Sequence, residues 1–382
     1  MTDRLSTLLH DEAHDLAIPD APTGAILTAG RRRVRRRRTA VVSIAAAAVI
    51  TGGALVHVAG ARARTPVVLD PATAPAATDW AVAQGSVVHL GTGATVKVPG
   101  QVKSMYYTSA GTLLRFGASP YTDGPHTSGS SYWLARPDGT LTDLRFSLND
   151  RVPGSDPSLP YLAYADKGAD DEHWMLVIRD VRDGSTVREI PFRGTSTWNG
   201  WAAPPVSLSG DHAYIGVDGT LLDVRWRTGR VEETTVPEHM PETRGGREIV
   251  SNDAQGRIQV VDLASGAVLK TITYDPSVGV ERYPQLSTDG THLALLPYAM
   301  CTDDGSCSYE GRSARIIDLA TGASRTTSLE YGAFGWTATG RLLVVDGASV
   351  KSCDPDTMAC TSTPVTLDGT GPIRVSGNNN ES

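Results

Sequence analysis

The chain has 382 residues, with 39 Gly and 23 Pro, 6% aromatic residues and a net charge of −7. That length holds one large β domain or two ordinary ones. The charge is unevenly split: residues 1–64 carry ten Arg and five acids, whereas residues 65–382 carry 25 bases and 37 acids. An acidic main domain argues against nucleic acid as a partner, because phosphate binding is driven by clustered Lys and Arg.

The first segment, residues 1–38, reads as a short cytoplasmic tail. Leu5, Leu8, Leu9 and Leu16 recur at helical spacing between acids. Pro19-Asp20-Ala21-Pro22 breaks that helix, and a second can start near Pro22. A short amphipathic helix is marginal in water, so the leucine stripe is a candidate docking segment for a cytoplasmic partner or a membrane surface. The plainer alternative is a disordered tail with a few leucines.

Seven arginines follow, Arg31, Arg32, Arg33, Arg35, Arg36, Arg37 and Arg38, and they abut an uncharged run over residues 39–61. Helix at about 1.5 Å per residue carries such a run across a hydrocarbon core of about 30 Å. The arginine excess places its side in the cytoplasm. This predicts one transmembrane helix. A cleaved signal is the rival: Ala61-Arg62-Ala63 resembles a cleavage site and Arg37-Arg38 a twin-arginine pair, although the leader is long and the apolar run exceeds a usual signal core.

Residues 62–79 form a Pro/Ala/Thr-rich linker. Beyond it two units recur. One is a strand ending in Asp before a Gly turn: Val260-Val261-Asp262-Leu263-Ala264-Ser265-Gly266 matches Ile316-Ile317-Asp318-Leu319-Ala320-Thr321-Gly322, and Ile178–Gly184 is a looser copy. The other is a polar turn before an apolar strand, clearest at Leu286–Leu295 and repeated around Gly340 and Gly210. Such turns supply the positive φ of tight hairpins, and a period of about 40–50 residues indicates propeller blades. Seven units are expected, near 80–99, 102–147, 160–193, 201–237, 247–274, 283–329 and 332–366, with six or eight blades as alternatives. The short first unit forms a blade of its own or completes the last one and closes the ring. The domain is expected to span 80–367, and residues 368–382 to form a disordered C-terminal tail.

All four cysteines fall late, as Cys301/Cys307 and Cys353/Cys360, each pair closing a short polar loop. Of three connectivities the two local pairings are the simplest. They imply disulfides and an oxidising compartment. Zinc is the competing reading, but the ligand spacing and flanking His it needs are missing.

No Gly-x-Ser-x-Gly elbow or His-Glu-x-x-His helix occurs. Nor is a metal site or cofactor expected. Asp303-Asp304 and Asp354-x-Asp356 read as ordinary turn acids rather than calcium ligands. Trp198 and Trp201 are candidates for a ligand-binding rim, with packing between blades as the alternative.

Leu286–Leu295 resembles the Ser-x-Asp-Gly strand motif of TolB-like and WD40-like bacterial propellers, and the Asp-Leu-Ala-[Ser/Thr]-Gly turn is similar to theirs. The chain departs from true WD40 repeats, having no Gly-His and Trp-Asp pairs at blade positions. The N-terminal layout is similar to single-pass membrane proteins found beside extracytoplasmic-function sigma factors, without their zinc-binding His-x-x-x-Cys-x-x-Cys motif. These resemblances imply an all-β propeller behind one transmembrane helix. Its expected role is to bind an extracytoplasmic ligand or protein and to relay to a cytoplasmic regulator such as a sigma factor, without enzymatic activity. An extracytoplasmic lyase or glycosidase and a non-signalling envelope scaffold are the alternatives.

Overall fold

The computed structural model describes residues 77–377 except 119–129, 149–150, 197–202, 238–241, 253–255, 274–281, 298–299, 302–306, 309–311, 330–332, 346, 368 and 370. The tail with Leu5, Leu8, Leu9 and Leu16, the arginines at 31–38, the 39–61 segment, most of the 62–79 linker, and Trp198 and Trp201 lie outside the described residues. The chain divides into Met1–Pro66 and Val67–Ser382, and the described residues all belong to the second unit. Among them no helix is long and apolar enough to cross a membrane.

Inner strands such as Gln101–Thr108 and Gly111–Gly117 are buried on both faces, outer ones such as Thr186–Arg193 alternate, and Gly turns fold them into antiparallel sheets. Seven such sheets form the blades of a propeller. Strand positions within a blade are lettered A, innermost, to D, outermost. Blade 2 shows the plan: Gln101–Thr108, Gly111–Gly117, Ser131–Ala135 and Leu141–Asp143 run A to D in chain order. The outer strands are the exposed ones, as in Arg230–Pro237 of blade 4 and Val268–Thr273 of blade 5.

The apolar core is divided into seven clusters, one at each seam between neighbouring blades. Phe334, Trp336 and Leu342 pack with Leu296 and Ile316 at the seam of blades 6 and 7. Trp226 packs with Tyr161 and Leu176 at that of blades 3 and 4. The smallest cluster, Leu221, Val236 and Val261, lies between blades 4 and 5.

Ring closure differs from the expectation. The first unit, Ala81–Gln84, Val87–Leu90 and Thr95–Lys97, supplies only strands B to D of blade 1. Strand A is Ile373–Val375, paired Val82↔Val375, Ala83↔Arg374 and Gln84↔Ile373. The short unit therefore does not complete the last blade, and the segment expected as a disordered tail contains the closing strand. The cause is the inner edge of Ala81–Gln84, whose N–H and C=O groups need a ladder partner.

Blade 5 is also irregular. Arg247–Asn252, Arg257–Asp262 and Val268–Thr273 form a three-stranded sheet. Leu263 N donates to Gly246 O, as Leu319 N donates to Thr291 O in blade 6, so these three strands take positions B to D. Position A is reduced, among the described residues, to a single bridge, Arg244↔Arg247.

The A–B turns of neighbouring blades are stitched together at every seam, all on one face. In order from blade 1, Gly377 N donates to Met105 O, Ser109 N to Leu159 O, Gly210 N to Asp156 Oδ2 and Gly246 N to Ser209 Oγ. Arg247 Nη1 then donates to Gly290 O and Thr288 Oγ1 to Thr337 O, and Thr339 Oγ1 donates to Asp79 Oδ1 at 2.6 Å. Tyr107 Oη reaches across blade 1 to Trp336 O at 3.0 Å, and burial pushes its phenol pKa up. The opposite face carries the hairpin of Met300–Cys301 with Cys307–Ser308, between strands B and C of blade 6.

Candidate functional site

The seam between blades 4 and 5 has little apolar area and is filled instead by ionisable groups. Glu248, the second residue of strand B in blade 5, is fully buried. Its Oε1 accepts from Glu242 N at 3.0 Å and from Ile249 N at 3.2 Å, and its Oε2 accepts from Thr243 Oγ1 at 2.5 Å. Ser207 of blade 4 donates to Thr243 O at 3.3 Å. The carboxyl group thus ties the segment at position A to strand B, and its hydrogen bonds offset the cost of burying a polar group.

On the blade 4 side, His212 Nδ1 lies 2.8 Å from Asp223 Oδ1, and its ring stacks on Tyr214 with centroids 6.0 Å apart. Burial, helped by the charges of Asp223, Glu248 and Asp262, pushes the Tyr214 phenol pKa up, with Arg225 opposing. Tyr214 and Asp223 are direct partners across strands B and C, so this group fastens two strands of one sheet.

A second group lies where blade 5 meets blade 6. Tyr283, near the start of strand A in blade 6, is 41% exposed, and its Oη donates to Glu242 Oε1 at 3.3 Å. An exposed phenol beside a carboxylate, on innermost strands and next to the reduced strand of blade 5, offers a stacking surface and both signs of hydrogen-bonding partner.

Of the residues predicted from sequence, Cys353 and Cys360 form a disulfide. The backbones of Cys301 and Cys307 lie opposite each other in their hairpin. Sequence reading missed Glu248, Glu242, Tyr214 and Tyr283. The run Arg247-Glu248-Ile249-Val250 offers no signal that sets Glu248 apart from an exposed strand residue.

The described part of the chain is a seven-bladed β-propeller closed by a strand from the end of the domain. No family model matches it, and no curated protein does. Solved structures similar to it are of low sequence identity. TolB from Acinetobacter baumannii matches with 16% identity and a TM-score of 0.39, over 67% of this chain and 65% of that one. This chain therefore spans less than two thirds of the TolB chain. AztD from Citrobacter koseri matches with 14% identity and a TM-score of 0.44, over 79% of this chain and 99% of that one.

The expectation of a protein without enzymatic activity does not hold. Similar solved structures include hydrazine synthase from Kuenenia stuttgartiensis, at 16% identity and a TM-score of 0.40 over 67% of this chain and 77% of that one. The dihydro-heme d1 dehydrogenase NirN matches with 13% identity and a TM-score of 0.41, over 82% of this chain and 76% of that one. Fold by itself does not decide function, so the architecture leaves catalysis open. At these identities the likeness assigns no activity to this chain.

Proposed function

We propose that this chain is a single-pass membrane protein whose extracytoplasmic propeller binds a partner at the mouth of the blade 5–6 seam, around Tyr283 and Glu242. The observation that carries the reading is Tyr283, an exposed aromatic on an innermost strand beside blade 5, where position A holds, among the described residues, a single bridge. Aromatic anchors of this kind dominate binding energy at interfaces. Photo-crosslinking from position 283 on intact cells tests it. A discrete adduct, lost on Glu242→Gln, is expected; an unchanged pattern of diffuse adducts refutes the site.

The anchor is residues 39–61, oriented by the arginines at 31–38. Protease added outside intact cells should degrade the propeller and spare the tail. A soluble mature protein beginning near Arg64 refutes the anchor. The tail relays occupancy to a cytoplasmic regulator, for which a sigma factor is the candidate, through Leu5, Leu8, Leu9 and Leu16. Affinity purification of the full chain should lose that regulator on Leu8→Asp/Leu9→Asp, and retention of the same proteins by both forms refutes the relay.

A further inference from the structure

Four C–D turns share one hydrogen-bond pattern. In blades 3, 5 and 6 the backbone N–H of an Asp donates to the carbonyl of the residue five later: Asp180 N to Ser185 O, Asp262 N to Ala267 O and Asp318 N to Ala323 O. In each, the Gly four residues after the Asp donates back to the Asp O at 2.8 Å. Blade 7 repeats both bonds, Asp354 N to Ala359 O and Met358 N to Asp354 O. The Cys353-Asp-Pro-Asp-Thr-Met-Ala-Cys360 loop is therefore a fourth copy, with two differences.

The first is conformational. The turn needs positive φ at its fifth residue, which is 76° at Gly184, 70° at Gly266 and 74° at Gly322. In blade 7 that residue is Met358, at 59°. A side chain there crowds the backbone and costs free energy that Gly avoids. The Met side chain is not idle, since it packs against the apolar cluster between blades 6 and 7. The second difference is the disulfide, which joins the cross-strand pair bracketing the turn, where the other copies have Arg179↔Thr186, Val261↔Val268 and Ile317↔Ser324.

The same loop fastens blade 7 to blade 6. Asp356 Oδ1 lies 3.1 Å from Nε2 of the buried His292, whose Nδ1 lies 2.8 Å from Thr291 Oγ1. Three sister turns form without a disulfide, so the bridge is not needed to make the turn. In blade 7 it brackets the one of these four turns that has Met where the others have Gly.

We propose that Cys353–Cys360 is a reducible clasp on the blade 6–7 seam: while closed it holds Met358 and Asp356 against blade 6, and when opened it releases both. Cys360 is exposed and Cys353 is buried, so a thiolate of a dithiol reductant attacks the Cys360 sulfur. The S–S bond breaks and its electron pair leaves on Cys353, which takes up a proton. The second thiol of the reductant then displaces Cys360 as a thiol and closes the reductant's own disulfide, so two electrons and two protons pass to the protein.

Amide hydrogen exchange on the full chain tests this, in a Cys301→Ser/Cys307→Ser background where dithiothreitol acts on this bridge alone. Exchange at 354–360 and at 287–293 should rise about tenfold on reduction, the loss expected from an unpinned left-handed residue. Exchange at 180–185 and 262–267 should stay unchanged. Met358→Gly should abolish the rise at 354–360. Cys353→Ser/Cys360→Ser, in the otherwise natural chain, should behave as the reduced form. Unchanged exchange at 287–293 in both the reduced and the Cys353→Ser/Cys360→Ser proteins overturns the proposal, as does an undiminished rise in Met358→Gly.

Discussion

Glu248 shows how one side chain can tie a blade's inner edge together. Its two oxygens take three donors, the backbone N–H groups of Glu242 and Ile249 and the Thr243 hydroxyl. Glu248→Ala leaves those donors buried and unpaired, which is expected to cost about 2–4 kcal/mol in urea denaturation, whereas Glu248→Gln keeps an acceptor and should cost less. Met358 predicts the opposite sign. Met358→Gly with the disulfide intact relieves a left-handed non-Gly residue, which should offset the lost packing and leave stability unchanged or higher by about 1 kcal/mol. The same denaturation measurement checks it, and a loss above about 1 kcal/mol shows that the side-chain packing dominates. Neither residue was legible in the sequence. Glu248 sits in a run that reads as an ordinary strand. Met358 occupies a turn whose signature, a Gly four residues after Asp, is the very thing it lacks.

The C–D turn is the best-defined element, and its acids give it a pH dependence. Hydrogen bonds from Ser265 hold the Asp262 carboxyl below the usual range, those from Thr321 and Ala320 do so for Asp318, and those from Ser185 for Asp183. A depressed folded-state pKa contributes stability above the unfolded value of about 3.9 and loses it as pH falls through the folded pKa. The melting temperature should therefore drop on acidification below about pH 4, and Asp318→Asn should flatten part of that drop. A mutant curve parallel to the wild type would show that the turn acids do not couple to folding. These turns were readable from sequence because everything that defines them lies within six residues. Strand A of blade 1 was not. Ile373-Arg374-Val375 has no pattern of its own, and its partnership is made across the whole domain, as the bond from Ala81 N to Ser376 Oγ spans 295 positions.

At the scale of the molecule, seven seams share the load unequally. The blade 4–5 seam has the smallest apolar cluster, so it is expected to open first, with exchange at Leu221 and Val261 faster than at Leu293 and Leu342. Ring closure makes a sharper prediction. Ending the chain before Ile373 removes the partner of Ala81–Gln84 and the Gly377–Met105 stitch. Such a chain should lose its single cooperative unfolding transition and become sensitive to protease within residues 81–97. A truncated protein that still melts in one transition at the wild-type temperature would show that the ring closes without its last strand. Seven repeating units were legible in the sequence, with six or eight blades left as alternatives, because hairpin turns recur at blade spacing. Closure was not, because it depends on where two distant segments meet.

That meeting has a consequence in time. Ala81–Gln84 leaves the ribosome nearly 295 residues ahead of the segment that completes its sheet. At about 5–20 residues per second, its inner edge waits roughly 15–60 s with open hydrogen-bonding groups. Two nascent chains growing side by side during that interval each carry a strand that fits the other's vacancy. Crowded synthesis should therefore favour exchanged pairs, and slow, well-separated synthesis should favour rings closed on themselves.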